Sequence, residues 1–171
     1  MNVLTIQHVR RHFTPPGHIT LWWLGQAGFL AQSPGGRVVA LDPDLTNSCK
    51  AIGEENGLDF DRQVPPPMRA GELSEVDAIL YTHSHQDHCD PETLAAARRA
   101  GGQGLYIAPP ESVQKLTAWG VPSGDPSLCT SSQRWSSKWT RRRTACASCA
   151  ASLPDNPSPR GSSGPRVRDE D

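Results

Sequence analysis

The sequence lacks a long apolar run, an excess of charge and a secretory signal. No stretch approaches the ~18 apolar residues that a membrane span requires. The 17 Lys and Arg against 18 Asp and Glu leave a net charge of −1, which does not indicate nucleic acid or an anionic membrane as a partner. Residues 1–17, MNVLTIQHVRRHFTPPG, contain no uninterrupted apolar segment and no small-residue cleavage site. These absences predict a cytoplasmic protein with neither a membrane nor a nucleic-acid partner.

Cysteine is also too sparse for a disulfide scaffold. The five cysteines are odd in number and scattered, which argues against a small secreted domain. Cys146 and Cys149 have the Cys-x-x-Cys spacing of redox and zinc sites. No second pair and no strand-turn-helix pattern accompanies them, so we prefer chance placement in a Ser-, Ala- and Arg-rich segment.

Branched aliphatic residues are nearly absent from residues 122–171. This segment has eleven serines and six prolines, whereas its only branched aliphatic residues are Leu128, Leu153 and Val167. So few apolar side chains cannot offset an ordering entropy of about 1 kcal/mol or more per residue. The composition therefore predicts a domain over residues 1–121, followed by a disordered Ser-, Pro- and Arg-rich tail over 122–171.

The first 121 residues have the patterns of an α/β domain. Short apolar runs bounded by Gly and Pro predict strands at residues 18–24, 28–31, 37–42, 76–81 and 105–108. Helices are predicted at residues 91–100 and 111–119. For the first helix, Asp90 is the expected N-cap and Pro91 the first helical residue. Residues 43–75 show neither the helical nor the strand periodicity of apolar residues, and we expect them to be mostly loop.

Three of the six histidines lie in the stretch THSHQDHCD, residues 82–90. His83 and His85 are two residues apart and, in an extended segment, point to the same side, where both can bind one cation. The turn into the next helix brings Asp87 and His88 to a second position. Two ions ~3.5–4 Å apart would share a water and activate it for hydrolysis, with Asp87 as both ligand and orienting group. The alternative is a His-rich polar loop, but this spacing after a predicted buried strand favours a metal site.

At this point the sequence resembles a known family. HSHQDH matches the HxHxDH motif of the metallo-β-lactamase superfamily at all four diagnostic positions. The stretches LWWLGQAGFLAQSPGG, VVALDPDLT, VDAILYTHSHQDHCDPETL and YIAPPESVQKLTAWGVP resemble the branch that contains L-ascorbate-6-phosphate lactonase. The resemblance runs from about Ile19 to Val121, with several separate motifs in the same order.

The resemblance implies a four-layer αββα fold and a lactonase-like, metal-dependent hydrolase that uses Zn²⁺ or Mn²⁺. It implies that His83 and His85 bind one metal, and that Asp87 and His88 bind the other, with Asp87 also catalytic. In the complete fold, a hydroxide that bridges the metals would attack a lactone or ester carbonyl. The implied partner is a small-molecule substrate such as a phosphorylated sugar lactone.

The sequence departs from the family in its later part. The family's second half supplies a further His, a bridging Asp and a final His, whereas this sequence has no histidine after His88. The resemblance thus covers the N-terminal half of the fold, and we hypothesise truncation or a frameshift after about residue 121. Two alternatives to the hydrolase follow: an inactive fragment, or a non-catalytic metal-binding module that self-associates through an exposed sheet edge.

Five other residues near the motifs could have a role. Trp22 and Trp23 lie inside a predicted strand, so we expect sheet core rather than a substrate platform. Asp42 ends a strand near the expected metal edge, and loop anchoring is the preferred role over ligation. Cys89 lies beside the ligands but has no base outside the metal set, so it is a poor candidate nucleophile, and the same holds for Ser84.

Overall fold

The computed structural model describes residues 4–123, 125 and 127–130. All of these residues belong to one unit of the chain, residues 1–133. Most of the expected disordered tail, including Cys146 and Cys149, lies outside the described residues.

The described residues form one six-stranded sheet in the order β1-β2-β3-β4-β5-β6. The strands are β1 Thr20–Trp23, β2 Phe29–Gln32, β3 Val38–Leu41, β4 Ala78–Leu80, β5 Leu105–Ala108 and β6 Leu128–Thr130. The pairs β1–β2 and β2–β3 are antiparallel, and β3–β4, β4–β5 and β5–β6 are parallel. All five predicted strands are confirmed. Parallel pairing brings the carboxyl ends of β3, β4 and β5 to one edge, the place where α/β sheets bind ligands.

Four α-helices and one 3₁₀ helix accompany the sheet in the described part of the chain. The α-helices are α1 Ile6–Arg11, α2 Cys49–Glu55, α3 Pro91–Arg99 and α4 Pro110–Ala118, and the 3₁₀ helix is Ala70–Glu75. The two predicted helices are confirmed as α3 and α4. In α3, Asp90 is the N-cap and its side chain accepts from the Glu92 N–H, with Pro91 in the first turn, as expected.

The prediction that residues 43–75 are mostly loop is partly wrong, because α2 and the 3₁₀ helix lie there. Helix α2 has only seven residues, and no side-chain hydrogen bond caps it. It depends on a close crossing of the chain: a Cβ at Gly53 would meet the Leu58 carbonyl oxygen at 2.6 Å. Neither a short length nor a tertiary contact of this kind leaves a periodic signal in the sequence.

The main core lies between the helices and one face of the sheet. Ile6 of α1, Leu94 of α3 and Leu116 of α4 are buried in the same cluster as the strand residues Leu30 and Ile79. A second cluster on the other face contains Ala78, Leu105, Ile107 and Cys129. The described residues thus form one helical layer on one sheet. This confirms a mixed α/β fold of the kind expected for half of an αββα domain.

The sheet continues beyond residue 121, where the domain was expected to end. Strand β6 pairs in parallel with β5, with Ile107 opposite Cys129. Leu128 and Cys129 are buried on opposite faces of the sheet. The average composition of residues 122–171 concealed this three-residue strand, so the folded unit includes at least residues 127–130. Within the part of the chain that the structure describes, no helix is long and apolar enough to cross a membrane.

Candidate metal centre

The motif residues form a loop that leaves the carboxyl end of β4 and enters α3. The loop is tied to the neighbouring strand, since the Asp42 N–H donates to the Leu80 carbonyl at 2.9 Å. It closes on itself where the N–H groups of His88 and Cys89 both donate to the His85 carbonyl, at 3.1 and 2.7 Å. The expected position at the end of a buried strand, before a helix, is confirmed.

The four motif side chains lie as two neighbouring pairs. His83 Nε2 is 3.1 Å from His85 Nδ1, and His88 Nε2 is 3.5 Å from the nearer Asp87 carboxylate oxygen. The two pairs are not separated, because the ring centroids of His83 and His88 are 4.0 Å apart, closer than the 4.7 Å between those of His83 and His85. The four side chains thus lie close together, and their assignment to two metals stays a prediction.

The spacing within each pair fits a shared cation. Two donors each ~2.0–2.1 Å from a tetrahedral ion lie roughly 3.3 Å apart. The observed separations of 3.1 and 3.5 Å bracket that value. Among the described residues, however, no three His, Cys, Asp or Glu side chains form a group that could hold one ion. At most two donors of the motif could therefore approach one ion, as the resemblance implied.

Asp42 orients the histidines from the adjacent strand. Its buried carboxylate accepts from the Thr82 N–H at 2.7 Å, from the Thr82 hydroxyl at 2.5 Å and from His88 Nδ1 at 3.0 Å. With Nδ1 of His88 occupied in this way, Nε2 faces Asp87. The Thr82 hydroxyl also lies 3.0 Å from Nδ1 of His83. A carboxylate behind a ligand imidazole fixes its tautomer and raises its basicity.

The backbone at this position is strained. Asp42 has φ +41°, in the left-handed region that Asp tolerates better than most residues. Gln26 also has a positive φ, +49°. Such conformations persist where surrounding contacts hold them, and they concentrate at functional sites.

A second buried carboxylate, Asp90, closes the downstream side of the loop. Besides capping α3 it accepts from the hydroxyls of Thr46, Ser48 and Thr93, at 2.7, 2.9 and 2.5 Å. Its residue surface is 1% exposed. These contacts join the loop after β3 to the start of α3. We call these two segments the walls of the site.

A third buried carboxylate, Asp44, lies in an ion pair with Arg62 at 3.4 Å. The Arg62 guanidinium also donates to the carbonyls of Asp44, Leu24 and Val64, which attaches the loop to the end of β1. Burial raises the pKa of Asp44 to about 6; repulsion from Asp90 adds to this effect, and the charge of Arg62 opposes it.

A cleft of about 630 Å³ opens beside the motif. The cleft is lined by His85, Gln86 and Asp87 of the motif and by Lys115 of α4. Ile52 and Phe60 are among its apolar residues. This volume lies within the ~300–1,000 Å³ range of small-molecule sites. Asp87 and His85 are exposed to it, so groups held there would be accessible to a ligand.

The expectations for the other residues have mixed outcomes. Cys89 is fully buried, and burial raises the pKa of its thiol to about 12, so it is not a nucleophile at neutral pH. Trp22 packs against the main core, as expected. Trp23 does not, because neighbouring strand residues face opposite sides: it is 56% exposed and donates to the Gln26 carbonyl. Asp42 has the anchoring contacts that were expected of it.

Three contributors were missed from the sequence: Thr82, Gln86 and Lys115. Thr82 directly precedes the motif and could have been suspected from its hydroxyl. The Gln86 amide donates to the Ser48 carbonyl at 3.0 Å, and Lys115 Nζ donates to the Ser84 carbonyl at 2.5 Å. These last two contacts join residues 38 and 31 positions apart, and no local pattern indicates them.

Known proteins match the same segments. A family model described as a β-lactamase superfamily domain matches residues 49–155, which include the motif loop of residues 82–90, called the ligand loop below, and extend into the expected tail. The chain belongs to this superfamily. The resemblance to the metallo-β-lactamase superfamily, found from the motifs, is therefore confirmed.

Individual relatives agree with the family. A UPF0173 metal-dependent hydrolase of Anaeromyxobacter dehalogenans strain 2CP-1 is 36% identical over 114 residues, which cover 67% of this chain and 35% of the relative. A probable L-ascorbate-6-phosphate lactonase of Salmonella heidelberg strain SL476 is 26% identical over 132 residues, covering 68% of this chain and 37% of the relative. The chain thus spans little more than a third of the length of these curated relatives.

Proposed function

We propose that this chain carries the first half of the metal site of a metal-dependent hydrolase of the metallo-β-lactamase superfamily. His83 and His85 would hold one divalent ion, and Asp87 and His88 the other. The observation that carries the proposal is the arrangement of these side chains as two pairs, 3.1 and 3.5 Å apart, beside an accessible cleft. The family match and the relatives' names support the same chemistry.

The chain's own residues would prepare this site in three ways. Asp42 holds His88 with Nε2 turned toward the second position. Thr82 ties the start of the loop to the same carboxylate. Asp87 is exposed to the cleft, where its carboxylate can accept a proton or orient a water beside the substrate. Bound Zn²⁺ or Mn²⁺ would polarise a substrate carbonyl and lower the pKa of a water.

The substrate class proposed is a small lactone or ester, with a phosphorylated sugar lactone as the specific candidate. The cleft volume of about 630 Å³ suits a molecule of that size. The 26% identity to probable L-ascorbate-6-phosphate lactonases supports the lactone. Because the chain spans little more than a third of those relatives, turnover by this chain alone needs a test separate from metal binding.

A second candidate function is metal binding without turnover. Each pair supplies two protein ligands, whereas a catalytic zinc normally has three and a water. Two ligands per ion are the observation that makes this candidate worth testing beside the hydrolase. Hydrolysis of a lactone by the metal-loaded full chain separates the two, because only the hydrolase gives turnover above the metal-free chain.

The test of the ligand set is Zn²⁺ titration of the full chain by calorimetry, with His85→Ala as the variant. Removing one of two ligands should weaken uptake at the His83–His85 position at least about tenfold. His18→Ala is the matched control, since His18 is exposed and contacts the Pro16 carbonyl rather than the loop. Equal affinity in His85→Ala and His18→Ala would show that the motif does not hold the ion.

A further inference from the structure

The ligand loop is held from outside by a lysine that belongs to a different layer of the fold. Lys115 lies in the last turn of α4 and is partly buried. Its Nζ donates to the carbonyl of Ser84 at 2.5 Å. Ser84 lies between His83 and His85, so the contact falls on the backbone that joins the two residues of the first pair.

The contact restrains the least enclosed of the three motif histidines. His85 is exposed, whereas His83 and His88 are partly buried and approach Thr82 and Asp42. A charge-assisted hydrogen bond to the Ser84 carbonyl fixes the peptide plane that leads directly into His85. The orientation of that plane sets the direction in which the His85 ring can point, and hence the 3.1 Å approach of its Nδ1 to His83.

We propose that Lys115 is a positioning residue for the first ligand pair, acting through the Ser84 carbonyl. The inference rests on the proposed function, since it assigns that pair to a cation. Its role is distinct from simple electrostatics. An ammonium beside a cation site repels the cation, so a purely electrostatic Lys115 would weaken metal binding and its removal would tighten it.

The sign of the change in Zn²⁺ affinity when Lys115 is replaced therefore distinguishes a positioning role from electrostatic repulsion. Lys115→Met removes the charge and the donor but keeps the apolar stem, and we expect Zn²⁺ binding to the full chain to weaken about 3- to 10-fold. This is less than the 10- to 100-fold typical of a group hydrogen-bonded directly to a ligand. Lys115→Arg keeps a charged donor and should restore most of the affinity. Lys50→Met is the matched control for charge loss, because Lys50 pairs with Asp61.

A second readout needs no metal. The N–H groups of His88 and Cys89 are bonded to the His85 carbonyl, so amide hydrogen exchange at these positions reports the closure of the loop. In the metal-free full chain, Lys115→Met should exchange roughly fivefold faster there, and Lys50→Met at the wild-type rate.

The two readouts separate the possible failures. If the wild-type chain takes up no Zn²⁺, the proposed function fails, while the exchange rates still decide whether Lys115 holds the loop. Unchanged exchange in Lys115→Met overturns the positioning role. Unchanged Zn²⁺ binding in Lys115→Met also overturns it, because a lysine that only attracts an anionic substrate would leave the metal affinity intact. Tighter Zn²⁺ binding overturns it as well, because that is the effect of removing a charge that repels the ion.

Discussion

Two buried carboxylates flank the ligand loop, and they differ in what donates to them. Asp42 accepts from Thr82 twice and from the imidazole of His88. Asp90 accepts from three hydroxyls and the N–H of Glu92, none of which belongs to a motif residue. Both lie almost wholly out of water, where a carboxylate is stable only when hydrogen bonds replace its hydration.

The difference in donors shows that the two carboxylates have different roles, one in the structure of the site and one in the orientation of a histidine. Asp90 connects the segment after β3 to the start of α3, so its hydrogen bonds maintain the walls of the site. Asp42 connects β3 to His88, a proposed metal ligand, so its hydrogen bonds orient that imidazole. Substitutions should therefore separate stability from metal affinity, in opposite proportions at the two positions.

The largest expected effect is the loss of stability in Asp90→Ala. The substitution removes the N-cap of α3 and leaves the buried hydroxyl of Thr93 without its acceptor. A lost cap costs about 1 kcal/mol and each buried polar group left unpaired about 1–3 kcal/mol, so the free energy of unfolding should fall by about 3 kcal/mol or more. Urea denaturation of the metal-free full chain measures it.

Asp90→Asn is the control for this change, because its amide oxygen can still cap the helix. It should lose distinctly less stability than Asp90→Ala. A loss below about 1 kcal/mol in Asp90→Ala would mean that the hydroxyl network does not hold the walls of the site together.

The next effect in size is the loss of metal affinity in Asp42→Asn. Asn tolerates the left-handed φ of +41° at this position, so the fold should survive with a change in stability of no more than about 1 kcal/mol. The amide cannot provide the negative charge behind His88, and Zn²⁺ affinity should fall about 10- to 100-fold. Calorimetric titration beside urea denaturation gives both quantities. If Asp42→Asn lost stability as heavily as Asp90→Ala and kept its metal affinity, the proposed division of roles would be reversed.

The sequence predicted the parts of the site that depend on neighbouring residues. The HxHxDH spacing, the strand before it and the capped helix after it all lie within about twenty residues, and each carries its own local signal. Asp42 could be noticed because it ends a strand. Even its anchoring role followed from that position, although its contacts with Thr82 and His88 did not.

The remainder of the site depends on tertiary packing and had no local signal. Thr46 and Ser48 reach Asp90 across more than forty residues, and Lys115 reaches Ser84 across 31. These contacts form only once the parallel strands have brought their carboxyl ends together. Strand β6 was missed for a related reason. Its three residues, Leu128–Thr130, are stabilised by pairing with β5 rather than by their own strand propensity.

The smallest expected effect concerns Asp44, a buried carboxylate whose partners are the Arg62 guanidinium and the backbone N–H of Thr46. Its folded-state pKa is raised from 3.8 to about 6 by burial and by the charge of Asp90, against the opposing charge of Arg62. Between these values the folded chain keeps a proton that the unfolded chain has lost, so this group's contribution to stability is complete below pH ~4 and disappears as the pH rises through ~6.

Asp44→Asn removes that titration and isolates it from the other groups. The stability of Asp44→Asn relative to the wild type should rise between pH 4 and 7 by about 1 kcal/mol or more, with ~3 kcal/mol as the limit set by a pKa raised from 3.8 to about 6. Urea denaturation of the two metal-free chains across this pH range measures the difference. A difference that stays level would mean that Arg62 fully compensates the buried charge. Asp44 would then belong with Asp42 and Asp90, as a third carboxylate whose partners replace its hydration.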